Sequence, residues 1–292
     1  MALSQPLTTY LELRESTSTG DEGAGLSHRA GGLVLLHVVE LAAAGEPRGG
    51  VTIVHGEGDH GGRYLDAARV LAEAGLAVAL PDLRGHGRSE GERGHCAGVS
   101  EVLRDLKAVQ DHLAYRLPIA PKVLVGQGLG AIWALAFALE HPGELAGLVL
   151  LAPLWEPRFE LPKPSGLLRA FRKTAPTAAG RIGRDPSSLS RSPAAVAAWK
   201  SDPLVHDTIT VRAAEQATEC AQACARRMGE LRCPVLIVHG SADQVSSARS
   251  SSALASGSVE VRLVEGGLHD LLHESDAEST AGAVRNWIVA HV

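Results

Sequence analysis

A chain of 292 residues with 45% hydrophobic and 21% charged side chains is long enough to bury a large core as one domain. Its net charge of −5 and pI near 6.2 exclude the global basic field that charge-driven nucleic-acid binding needs. Mean hydropathy is +0.04, and the longest apolar runs, at 33–39 and 147–153, fall far short of the ~20 residues of a membrane span.

In chain order, the opening MALSQPLTTYLELRE has neither a basic n-region nor an apolar h-region, so no signal peptide is read and a cytoplasmic location is expected. The stretch 33–41 reads as a strand paired antiparallel at a sheet edge. Short apolar, β-branched runs at 50–54, 76–80, 123–125, 147–151, 235–238 and 259–264 predict buried parallel strands. Helical patterns over 63–73, 99–115, 129–140 and 276–289 alternate with them. That alternation predicts a mostly parallel, doubly wound α/β sheet with right-handed crossovers. Residues 155–231 break the rhythm with seven prolines, two helix-like segments (194–200 and 210–227) and no strand signal. They read as a cap inserted over one edge of a single 1–292 domain. Arg169, Arg172, Arg181, Arg184 and Arg191 read as its solvated surface, with peripheral membrane contact or an anionic substrate as the alternative. Cys96, Cys220, Cys224 and Cys233 form no CxxC pair and read as reduced thiols.

Ligands of an open α/β sheet bind beyond the carboxyl ends of its strands. The polar stretches in those places are HGEGDHGGRY (55–64), PDLRGHGRSEGERGH (81–95), GQGLG (126–130), HGSADQV (239–245) and EGGLHDLLHE (265–274). The strand–GQGLG–helix passage has the form of a nucleophile elbow, and Asp243 and His269 follow it in the chain order of an α/β-hydrolase triad.

With these motifs and a Asp202-Pro203-Leu204 segment, the sequence resembles the monoacylglycerol lipase and lysophospholipase branch (serine aminopeptidase S33 type) of the α/β-hydrolase fold, from about residue 33 to the C-terminus. The resemblance implies a lidded esterase fold that takes acyl-chain substrates and uses no cofactor. It places Asp243 as the acid, His269 as the base, Gly128 at the nucleophile's position, and the backbone amides of Glu57 and Leu129 in the oxyanion hole. Two residues depart from the pattern: Gln127 stands where the family has His, and Gly128 where it has Ser.

Without a hydroxyl at residue 128 there is no acyl-enzyme route from that position. Cys96, Ser100 and Ser241 are poor substitutes, since capping, packing and turn geometry account for them. Glu57 either holds a water as a general base or, as the plainer expectation, faces solvent. His55 and His60 are expected to bond within their loop. His269 and His273 lack the spacing of a metal pair, and GQGLG lacks the lysine of a phosphate loop. Trp133 and Trp155 read as core and cap base, Trp155 with a possible acyl contact. Three readings of function remain: a pseudo-hydrolase that binds an acyl or other apolar ligand, a serine-independent enzyme using the Asp243–His269 pair as general base, and a partner-binding module.

Overall fold

The computed structural model describes residues 5–14, 33–162 and 177–292. Eight strands form one sheet in the order β1 (Leu7–Arg14), β2 (Leu33–Leu41), β4 (Leu76–Pro81), β3 (Gly49–Val54), β5 (Lys122–Gln127), β6 (Gly147–Leu151), β9 (Val235–Gly240) and β10 (Val259–Val264). All neighbours from β4 to β10 run parallel, and only β1 with β2 and β2 with β4 are antiparallel. The central strands are apolar on both faces because helices cover both. Val123 and Val125 of β5 pack with α1 (Leu65–Glu73) and α7 (Ala277–Val289), while Leu124 joins the layer of α2 (Val99–Arg116), α3 (Leu129–Glu140) and α5 (Val211–Arg227). Every residue of α3 from Leu129 to Leu139 is buried, as expected of a helix apolar all round. Small residues of α5 (Ala213, Ala217, Ala221) are buried in the same core layer, so the last helix of the 155–231 stretch flanks the sheet.

Several expectations are corrected. β2 does not close the sheet, because β1 pairs along its whole outer side. LTTYLELR carries no clear strand signal in sequence, since Leu7 and Tyr10 are exposed and its alternation has no flanking apolar run. The stretch 155–231 does contain strands: β7 (Ala179–Arg181) and β8 (Thr208–Thr210) form a two-stranded antiparallel ribbon. Three residues each are too few to leave a periodic signal. The helix expected from residue 63 starts with a 3₁₀ turn at Gly61–Tyr64 before α1. Arg169 and Arg172 lie outside the described residues. Among the described residues, no helix is long and apolar enough to cross a membrane.

Candidate active site

The strand ends bring the predicted stretches together. β5 leaves the sheet through Gly128, whose φ of 56° and ψ of −117° lie where a side chain is strained. Its neighbours are glycine for a different reason, close approach. A Cβ on Gly126 would lie 2.4 Å from the Gly130 carbonyl oxygen, and one on Gly130 would lie 2.2 Å from that of His55. Strand, sharp turn and helix therefore stack directly on the 55–60 loop.

Asp243 and His269 arrive from the ends of β9 and β10. The His269 Nδ1–H donates to Asp243 Oδ2 at 2.8 Å, and both side chains are buried. Asp243 Oδ1 accepts the backbone amides of Val245 and Ser246 at 2.7 and 3.1 Å. Burial alone would raise the Asp243 carboxyl, but bonds from His239, His269 and Ser246 hold it well below the usual carboxylate range. At His269 burial opposes the charged ring, yet the Asp243 bond and charge, with the Glu57 charge, outweigh it and move the pKa up. His239 was not singled out in sequence. Its Nε2–H donates to the same Asp243 oxygen at 3.0 Å, and its Nδ1 accepts from Ser251 Oγ at 2.7 Å. Ser251 in turn accepts from Trp155 Nε1 at 2.8 Å, so Trp155 braces Asp243 through Ser251 and His239 and lines neither cavity. Gln127 ties down His269, its Nε2 donating to the His269 carbonyl at 2.8 Å.

Glu57 does not face solvent. Its side chain is 7% exposed and turns inward, where Oε2 accepts the Leu129 backbone amide at 3.2 Å. Oε1 accepts from Arg184 Nη2 and Nε at 3.1 and 3.3 Å. Arg184 thus leaves the group of solvated arginines: it is buried to 14% exposure and spans 127 residues to reach its partner. Arg181 pairs at the surface with Asp207, while Arg191 reaches exposed Asp276 and buried Glu274. A Cβ built on Gly128 would stand 3.1 Å from both Glu57 Oε2 and His269 Nε2. Those two groups therefore border the same empty space above the turn.

A buried ion network holds the loops in register. Arg63 lies between Asp59 and Asp270, with contacts of 3.1 and 3.2 Å. Tyr64 donates to Asp59, and His273 bridges Asp270 Oδ1 to the Arg63 carbonyl at 2.7 and 2.8 Å, so its ring serves this network. Only His55 bonds within its own loop, to Gly56 O, and its Nε2 accepts the Leu83 amide. His60 instead reaches Asp202 at 2.9 Å. Ser100 is exposed, and Ser241 accepts the Gly266 amide. Burial first, then the Glu101 charge, pushes the Cys96 thiol up to about 12, leaving it protonated and inert. Among the described residues, no cluster of His, Cys, Asp and Glu is arranged to hold a metal ion.

Two cavities meet here. A polar cleft of about 460 Å³ is lined by Glu57, Gln127, Gly128, Arg184, His269 and Asp270 among others. A more apolar one of about 530 Å³ runs past Leu83, Val102, Trp133 and Ile209, and Glu57, Leu129 and Ile182 also line it. Glu57 and Ile182 form the shared wall.

A parallel sheet covered on both faces, with a glycine-built strand-to-helix turn and a carboxylate–histidine pair at the strand ends, defines the α/β-hydrolase fold. Residues 45–276 match the Hydrolase_4 family, serine aminopeptidase S33, and the chain belongs to that family. It is 31% identical over 253 residues to the monoacylglycerol lipase of Mycolicibacterium smegmatis, covering 85% of this chain and 90% of that one. It is 32% identical over 244 residues to the monoglyceride lipase of Homo sapiens, covering 81% and 80%. The crystal structure of Paleococcus ferrophilus monoacylglycerol lipase superposes with a TM-score of 0.77 at 27% identity, over 88% of this chain and 99% of that one.

Proposed function

We propose that this chain is a pseudo-hydrolase of the monoacylglycerol lipase type, which binds an apolar, acyl-type ligand and does not turn over carboxylic esters by the serine route. Two features support the reading together. Gly128, taken as the nucleophile's position, has no hydroxyl to form an acyl-enzyme. The observation that carries most weight is the Glu57 carboxylate seated on the Leu129 amide. An oxyanion hole works by presenting donors to developing negative charge. Here that donor already serves a carboxylate, whose charge repels a second oxyanion. A triad enzyme that loses only its nucleophile keeps ~10³–10⁴-fold catalysis over water through its oxyanion hole and binding. With the hole filled as well, the residue is smaller still.

The apolar cavity beside the cleft supports ligand binding in place of turnover. A second reading, serine-independent general-base catalysis, draws on the intact Asp243–His269 bond. Against it stands the filling of the cleft, since the Glu57 carboxylate already occupies the Leu129 amide and leaves no free donor there for a developing oxyanion. The test is turnover of a monoacylglycerol panel by the purified protein, alongside native mass spectrometry for bound lipid. Lipid adducts without hydrolysis above the buffer rate are expected. Ester turnover at rates normal for lipases would overturn the proposal, and slow turnover abolished by His269→Ala would favour the second reading.

A further inference from the structure

We propose that the space between Glu57 and His269 is a hydroxyl-binding subsite, so that the cleft selects a long-chain alcohol held by its head over an ester held by its carbonyl. The inference rests on the reading above in one respect: no side chain of residue 128 fills that space.

The geometry sets the requirement. Glu57 Oε2 and His269 Nε2 lie equally far, 3.1 Å, from the point where a Cβ of residue 128 would stand. Neither bonds to the other, so both retain hydrogen-bonding capacity toward that space. A carboxylate only accepts, and Glu57 Oε2 has spent one lone pair on the Leu129 amide while Oε1 serves Arg184. His269 is fixed through Nδ1 by Asp243, which leaves Nε2 facing inward. The Asp243 and Glu57 charges on either side favour the charged ring, in which Nε2–H is a donor.

One acceptor and one donor thus face a single small volume, which a hydroxyl matches, donating to Glu57 and accepting from His269. An ester carbonyl only accepts and leaves the Glu57 lone pair unmatched. A fatty carboxylate places its charge against that of Glu57. An alkylammonium meets Arg184 and the His269 ring. Neutral, with one proton to give and a lone pair to receive, the alcohol is the head that satisfies the site. Its chain has room beyond Leu129 and Ile182, in the cavity lined by Leu83, Val102, Trp133 and Ile209. The usual polarity of a hydrolase site is therefore inverted at its centre, where a donor-bearing head replaces the carbonyl.

Isothermal titration of the full chain with 1-decanol, methyl decanoate and decanoate tests this without any variant. The alcohol is expected to bind at least about tenfold tighter than either other ligand, about 1.4 kcal/mol. In Glu57→Ala the alcohol and the ester are expected to fall within about twofold of each other. Ester or decanoate binding as tight as the alcohol's, or a full alcohol preference in a folded Glu57→Ala protein, would overturn the inference and leave the apolar-ligand reading standing. Absence of binding by all three would overturn both.

Discussion

Esterase activity is expected from a Gly128→Ser, Glu57→Ala double variant and from neither single one. Assayed on a short aryl ester, the double variant should exceed the unmodified protein by roughly 10³-fold or more in kcat/KM. One missing oxyanion donor alone is worth about 10²–10³, and the effects of parts that act as a unit are far from additive. Serine alone enters an occupied site. Its Cβ would stand 3.1 Å from Glu57 Oε2 and from His269 Nε2, tighter than ordinary contact, and Glu57 would still hold the Leu129 amide. The turn's φ of 56° adds a backbone cost of about 1–3 kcal/mol for any non-glycine residue. Removing Glu57 alone frees the amide and supplies no nucleophile. In the double variant the hydroxyl has space, His269 can reach it and the amide is free. If Gly128→Ser alone restored full turnover, the Glu57 carboxylate would not be obstructing the site.

Arg63→Met is expected to destabilise the protein by about 3–5 kcal/mol, the usual penalty for removing one partner of a buried ionic group. Arg63 is 9% exposed and serves two carboxylates, Asp59 and Asp270, at 3.1 and 3.2 Å. Without it, two buried carboxylates face each other across an apolar side chain. Asp270 adjoins His269, so His269 also loses its anchoring, and ligand binding should weaken along with stability. The control is Arg69→Met, which breaks a pair on the exposed face of α1 whose Asp66 side chain is 94% exposed. Such pairs contribute at most about 1 kcal/mol. Chemical denaturation of both variants checks the contrast, and equal small losses would show that the network is not what holds the loops together.

The core strands and the Asp243–His269 pair were legible in sequence for clear reasons. Buried parallel strands carry continuous apolar runs, and Asp243 and His269 follow their strands closely, at the ends of β9 and β10. What was not legible depends on three-dimensional contact. Glu57 reads as an ordinary polar loop residue until Arg184, 127 positions away, is seen to meet it. Arg184 lies among prolines and other arginines with no periodicity to mark it as inward-facing. His239 was visible in HGSAD, but its bond to the acid follows from the turn that folds residues 239 and 243 onto each other. The edge strand β1 and the β7–β8 ribbon lacked the apolar density that marks the central strands.

The most direct test of the central claim, a site closed to serine chemistry by an absent hydroxyl and an inward carboxylate, is the intact mass of the unmodified protein after incubation with a fluorophosphonate probe. The account predicts no adduct under conditions that label an active lipase to completion. A stoichiometric adduct that disappears in His269→Ala would contradict it, revealing a working nucleophile beside the Asp243–His269 pair.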